Sequence, residues 1–141
     1  MIHKIFDSPV YTVLERGLDA SSLRQKVISD NIANVSTPGF KRSEVTFEGE
    51  LAKVLQGSTG KQIRGYITHE KHLPIGAPSF TEVKPKVEVQ KDTSLRNDKN
   101  NVDIDIEMAQ LAKNSIIYNA LTRHISDKFS GLANVISGGR G

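Results

Sequence analysis

The chain has 141 residues, 37% of them apolar and 25% charged, with a net charge of +3 and neither cysteine nor tryptophan. That length suits one modest domain, and the lack of cysteine excludes a disulfide framework and any thiolate metal site. The basic residues are spread along the chain and form no stripe, which argues against a nucleic-acid surface. Asp7, Glu15, Arg16 and Asp19 interrupt the N-terminal apolar pattern, so no cleaved secretory signal is expected. No run approaches the roughly 20 apolar residues of a membrane span.

The first segment, 1–36, reads as an assembly helix. Ser8 can cap it and Pro9 suits its first position, where a missing N–H costs nothing. Leu14, Leu18, Ser21, Gln25, Ile28, Ile32 and Val35 then recur at alternating spacings of four and three, a heptad seam with two polar members. Val13, Ala20 and Val27 widen the stripe on one flank.

The helix runs into "NIANVSTPGFKR", Asn31 to Arg42. Pro38 biases Thr37 away from helical angles, so the helix should end by Thr37. Pro38-Gly39 suits the centre of a type II turn, with Gly39 at positive φ. Asn34 is placed to bond main-chain groups freed at the helix end. Phe40 should fold back on apolar surface and Lys41-Arg42 should face water.

The middle, 37–100, is a turn plus a small irregular insert containing β structure. Gly57, Gly60, Gly65, Gly76, Pro74, Pro78 and Pro85 punctuate it. "QIRGYIT" (Gln62–Thr68) and "VKPKVEV" (Val83–Val89) alternate like short strands or a hairpin. "EGELAKVLQG" can form a short helix, and "KDTSLRNDKNN" reads as a polar, mobile linker.

The last segment, 101–141, is the second assembly helix. Ile104, Met108, Leu111, Ser115, Tyr118, Thr122, Ile125, Phe129, Leu132 and Ile136 keep the four-three spacing. Asp103, Asp105 and Glu107 fall where negative charge complements a helix N-terminus, and Ser137-Gly138-Gly139 supplies the stop. The expected fold is mainly α: two long terminal helices packed as a coiled coil around a small insert. Ile117, Leu121 and Val135 add apolar surface beyond a two-helix seam, which favours assembly with copies of the chain or similar chains.

No catalytic template fits. "HEKH" (His69–His72) spaces its histidines three apart in a Gly/Pro-rich stretch, not four apart on a helix. "GSTGK" lacks the first glycine and the final hydroxyl of a phosphate loop. His124 and Asp127 read as a solvated helix pair. No enzyme, cofactor or metal site is expected.

"SDNIANVSTPGFKR" resembles the signature that closes the N-terminal helix in the flagellar rod and hook proteins of bacteria, carried here by Asn31, Ile32, Ala33, Asn34, Thr37, Pro38, Gly39 and Phe40. "NNVDIDIEMAQLAKNSIIYNAL" resembles that family's C-terminal helix motif, including Val102-Asp103, Glu107, Asn114 and Tyr118. The short length, "THEKHLPI" and "GLANVISGG" are most similar to its proximal rod members. The resemblance implies a structural subunit without a cofactor, exported uncleaved by the flagellar type III apparatus and assembled into a helical tube in the periplasmic part of the basal body. The partners it implies are copies of itself, other rod proteins, the basal-body adaptor protein, the membrane–supramembrane ring and the export gate. Another axial protein of the rod or hook, or a helical export chaperone, is the alternative.

Overall fold

The computed structural model describes residues 9–59, 83–91 and 96–138. Helix α1 (Pro9–Ala33) leads into the corner, then strand β1 (Ser43–Thr46), helix α2 (Glu48–Thr59), strand β2 (Lys86–Val89) and helix α3 (Ile104–Gly138). The fold is mainly helical, with long terminal helices and a small two-stranded sheet between them. At 1.5 Å per residue α1 and α3 are roughly 37 and 52 Å long.

The two long helices lie antiparallel. Asn31 meets Glu107, Asn114 reaches Ser21, Gly17 faces Leu121 and the Tyr11 ring sits 6.0 Å from that of Phe129. Gly17 lets the backbones approach, because a Cβ there would come within 3.2 Å of Leu121 Cδ1. The shared face is only partly the heptad seam. α1 buries Ser21, Val27, Ile28 and Asn31, with Ala20 covered by the insert, while Leu14, Leu18 and Ile32 are half-buried. On α3 only Glu107 and Asn114 are buried, with Leu111, Ile125 and Leu132 half-buried. Ile104, Met108, Tyr118, Phe129 and Ile136 remain exposed.

The insert carries most of the small apolar core. Phe47, Val54 and Val83 close over Ala20 of α1, with Leu51 packed beside them. The strand pair is β1 with β2, antiparallel, Ser43 opposite Val89 and Val45 opposite Val87. Val83–Val89 therefore does contain a strand, but its partner lies just after the corner. Glu44 stands directly across from Glu88, a like-charge pair that costs stability. Gln90 and Arg42 donate to Glu44 at 2.9 and 3.2 Å, and Thr46 donates to Glu88 at 3.3 Å, which offsets the repulsion.

Helix α2 starts where "EGELAKVLQG" indicates and runs on past it through Thr59. Lys53 donates to Glu50 at 2.7 Å, and that hydrogen bond holds the Glu50 carboxyl below its ordinary pKa. The Ser8 cap, Gln62–Thr68, His69 and His72 lie outside the described residues. No described helix is long and apolar enough to cross a membrane, and no described cluster of His, Asp and Glu could hold a metal ion.

Because Phe47 is 4% exposed in so small a core, Phe47→Ala should destabilise the chain by about 3 kcal/mol. Urea unfolding followed by circular dichroism measures this.

Candidate functional site

The motif residues of both termini meet at one end of the helix pair. α1 ends at Ala33, and Thr37 to Phe40 turn the chain. Phe40 N–H donates to Thr37 O at 3.3 Å and Gly39 has φ 74°, the type II geometry that Pro38-Gly39 favours. Asn34 Nδ2 donates back to Asp30 O at 2.8 Å, a carbonyl near the helix end. Phe40 is half-buried, as expected.

Asn31, on the last turn of α1, is the first fastener and is 1% exposed. Its Nδ2 donates to Ser43 O at 2.8 Å and its Oδ1 accepts from Ser43 N–H at 3.0 Å. This side chain thus pairs with β1 as a neighbouring strand would, and satisfies both main-chain groups of Ser43. Its Nδ2 also donates to Glu107 Oε2 at 3.0 Å.

Glu107 is fully buried. Like Asp105 it lies in the first turn of α3, as its place in the sequence indicates, while Asp103 caps the helix: its Oδ1 accepts from Asp105 N–H at 2.9 Å and Ile106 N–H at 3.3 Å. Glu107 instead accepts a hydrogen bond from Arg42 Nε and forms an ion pair with it. Arg42 was expected to face water with Lys41. It turns inward, its side chain 15% exposed, because a buried carboxylate without a cation would be far costlier than burying the pair. Burial alone would lower the guanidinium pKa. The hydrogen bond and charge of Glu107, with Glu44 behind them, override that and raise it.

Asn100 is the second fastener, and it corrects the mobile-linker reading for residues 96–101. Its side chain is fully buried. Nδ2 donates to the carbonyls of Asn34, Val35 and Thr37 at 2.9, 3.1 and 2.9 Å, and Oδ1 accepts from Val102 N–H at 2.8 Å. One amide therefore gathers three carbonyls of the corner that follows α1. Around it Asp98 O accepts from Gly39 N–H at 2.7 Å, and Asn101 Oδ1 accepts from Arg42 N–H at 2.7 Å. Asp98 also accepts from Arg96 and from Asn100 N–H, which keeps its carboxyl below the ordinary range.

Further along the pair, Asn114 donates to Ser21 O at 2.9 Å and Gln25 Oε1 at 3.2 Å. Among the described residues its buried Oδ1 meets no donor. An open groove beside it is lined by Ser21, Ser22, Gln25 and Lys26 on α1 and by Ser115, Tyr118 and Asn119 on α3, whereas the groove on its other side is partly walled by Glu44, Val45 and Glu48 of the insert. Of the motif residues, Asn31, Asn34, Thr37, Gly39 and Phe40 are thus brought together. Ala33 and Pro38 are exposed there, and Ile32 is half-buried.

Sequence reasoning missed the roles of Asn100, Arg42 and Glu107. The available signal was an asparagine-rich run directly before the Asp103 cap, facing the carbonyls of the corner. The arrangement positions chain segments. It offers no nucleophile–base pair or clustered carboxylates for chemistry.

Arg42→Met should cost about 3 kcal/mol by leaving Glu107 buried and unpaired, and adding Glu107→Leu should recover most of that loss. Asn100→Ala should cost about 2 kcal/mol, since it removes a buried donor from three corner carbonyls, of which those of Asn34 and Thr37 keep a backbone N–H. Urea unfolding of the three variants beside the parent checks both statements.

These motifs have known counterparts. The family model described as flagella basal body rod protein matches residues 12–41, which span most of α1 and the corner. Flagellar basal body rod protein FlgB of Borrelia hermsii is 41% identical, over 94% of this chain and 98% of that protein. FlgB of Bacillus subtilis is 35% identical, over 90% and 92%. FlgB of Salmonella typhimurium is 33% identical, over 89% and 91%. Likeness of this extent, spanning both helices and the clasp between them, makes the chain a member of the flagellar basal body rod protein family.

Proposed function

We propose that the chain is a structural subunit of the proximal flagellar rod, not an enzyme, and that it polymerises through its terminal helices into the wall of a tube that serves as drive shaft and export channel. Family membership supports the rod. The observation that carries the polymer is the row of large apolar side chains along α3. Ile104, Met108, Tyr118, Phe129 and Ile136 are each 45–78% exposed in the isolated chain, and such a row calls for neighbours.

In this reading segments 1–36 and 101–141 form the wall, coiled around neighbouring pairs, and Leu14, Leu18, Ile28, Ile32, Leu111, Ile125 and Leu132 complete the packing. Segment 37–100 is directed off the wall by the corner. Neighbours are copies of the chain and other rod proteins, with the basal-body adaptor protein, the membrane–supramembrane ring and the export gate at the base. The location is the periplasmic rod of the basal body, reached by export without a cleaved signal. No cofactor is required. A tube needs heterologous contacts that do not close on themselves, and a helix with apolar residues on more than one flank can provide them.

A tagged copy should co-purify with isolated basal bodies, and its absence there would remove the rod reading. Met108→Asp and Ile136→Asp should leave the melting of the monomer nearly unchanged but abolish incorporation, because each carboxylate would be buried without a partner only in the assembly. Normal motility with either variant would remove the polymer reading.

A further inference from the structure

Three seam positions are polar where a two-helix contact would take apolar residues: Ser21 and Gln25 on α1 and Ser115 on α3. The fold gathers all three at one groove of about 500 Å³ between the long helices, with Asn114 at its floor. Asn114 is 2% exposed. Its Nδ2 donates to Ser21 O and Gln25 Oε1, whereas its Oδ1 has no donor among the described residues. A buried amide oxygen left in this way is destabilising, and a donor entering from outside the chain would remove the penalty. On the other side of Asn114 the insert stands close, with Glu44, Val45 and Glu48.

Tyr118 joins the groove to the exposed apolar row of α3. Phe129 and Ile136 follow it after 11 and then 7 residues, roughly three and two helical turns. The three therefore lie along one line of the helix, and all are exposed. A helix packed along that line reaches the groove at Tyr118.

We propose that in the assembled rod this groove seats a helix of a neighbouring rod subunit, one of whose side chains donates a hydrogen bond to Asn114 Oδ1. The donor is neutral, an amide or a hydroxyl. Lys26 is the one charged side chain among the described residues lining the groove, and it would repel a second cation. This seat rests on the rod reading above and adds what the apolar row lacks. Apolar contacts tolerate sliding, but a neighbour shifted along the row leaves the buried oxygen unpaired, so the amide fixes the neighbour's position. The contact belongs to the assembled chain and requires nothing of the helices before assembly.

A photo-reactive diazirine side chain placed at Ser22 or at Ser115 tests the seat, because these exposed positions flank the groove from α1 and from α3. Irradiated in basal bodies, both should join the chain to the same short segment of one neighbouring helix, and that segment should carry an amide or hydroxyl side chain. The donor is tested by a double-mutant cycle, scored as incorporation into basal bodies in competition with the parent chain. Asn114→Leu should lower incorporation roughly tenfold, and so should an apolar substitution of the donor that the cross-link locates. The two together should regain most of the loss, since removing both partners leaves no group unpaired. The proposal is overturned if the two positions cross-link to different segments or to none while the parent chain is present in basal bodies. It is also overturned if the located segment holds no neutral donor, if Asn114→Leu incorporates as the parent does, or if the two losses multiply, as they would with water alone on Oδ1. A parent chain absent from basal bodies removes the rod reading itself, and this seat with it.

Discussion

A fully buried carboxylate, Glu107, organises this protein. It sits in the first turn of α3 and cannot be hydrated there. It must be met by a cation and a donor, and the chain supplies Arg42 from the corner and Asn31 from the end of α1. That requirement ties three separate stretches of sequence to one point. It turns Arg42 inward, fixes where β1 begins, and sets which turn of α1 faces which turn of α3.

The fastening is polar because little apolar surface is spent on it. Apart from Ala20 beneath the insert, the buried side chains of the two long helices are Ser21, Val27, Ile28 and Asn31 on α1 and Glu107 and Asn114 on α3. Such a contact gains little from hydrophobic burial, at about 25 cal/mol per Å² of apolar area. It gains specificity, because amides and an ion pair are satisfied in one register alone. The larger apolar residues of α3 are thereby left outside, which is poor economy for a monomer but suits a subunit whose remaining stability comes from neighbours.

The corner and the insert show two ways of ending a helix against other structure. At the corner the carbonyls just past the end of α1 are collected by a side chain from far along the sequence, Asn100. At the start of α3 the orphan N–H groups are capped locally by Asp103. Local capping can be read from sequence spacing. The capture by Asn100 spans 63 to 66 residues, and no local pattern announces it.

Much of the fold was legible for the same reason. The four-three spacing of apolar residues, Pro9 at a helix start and Pro38-Gly39 at a turn are local signals, and they located both long helices and the type II turn. The strand at Val83–Val89 and the helix from Glu48 were legible too, but not the pairing of β2 with β1, since pairing joins segments that the chain separates. Periodicity identified an apolar stripe without saying which neighbour each residue meets. Leu111, Ile125 and Leu132 turn partly inward, whereas Met108, Tyr118 and Phe129 stay outside. Sequence by itself determined two amphipathic helices, the corner between α1 and the insert, and the family motifs at both ends. Only the tertiary structure decided that Arg42, Asn100 and Glu107 are interior, because burial of a charge or an amide depends on partners that distant parts of the chain bring to it.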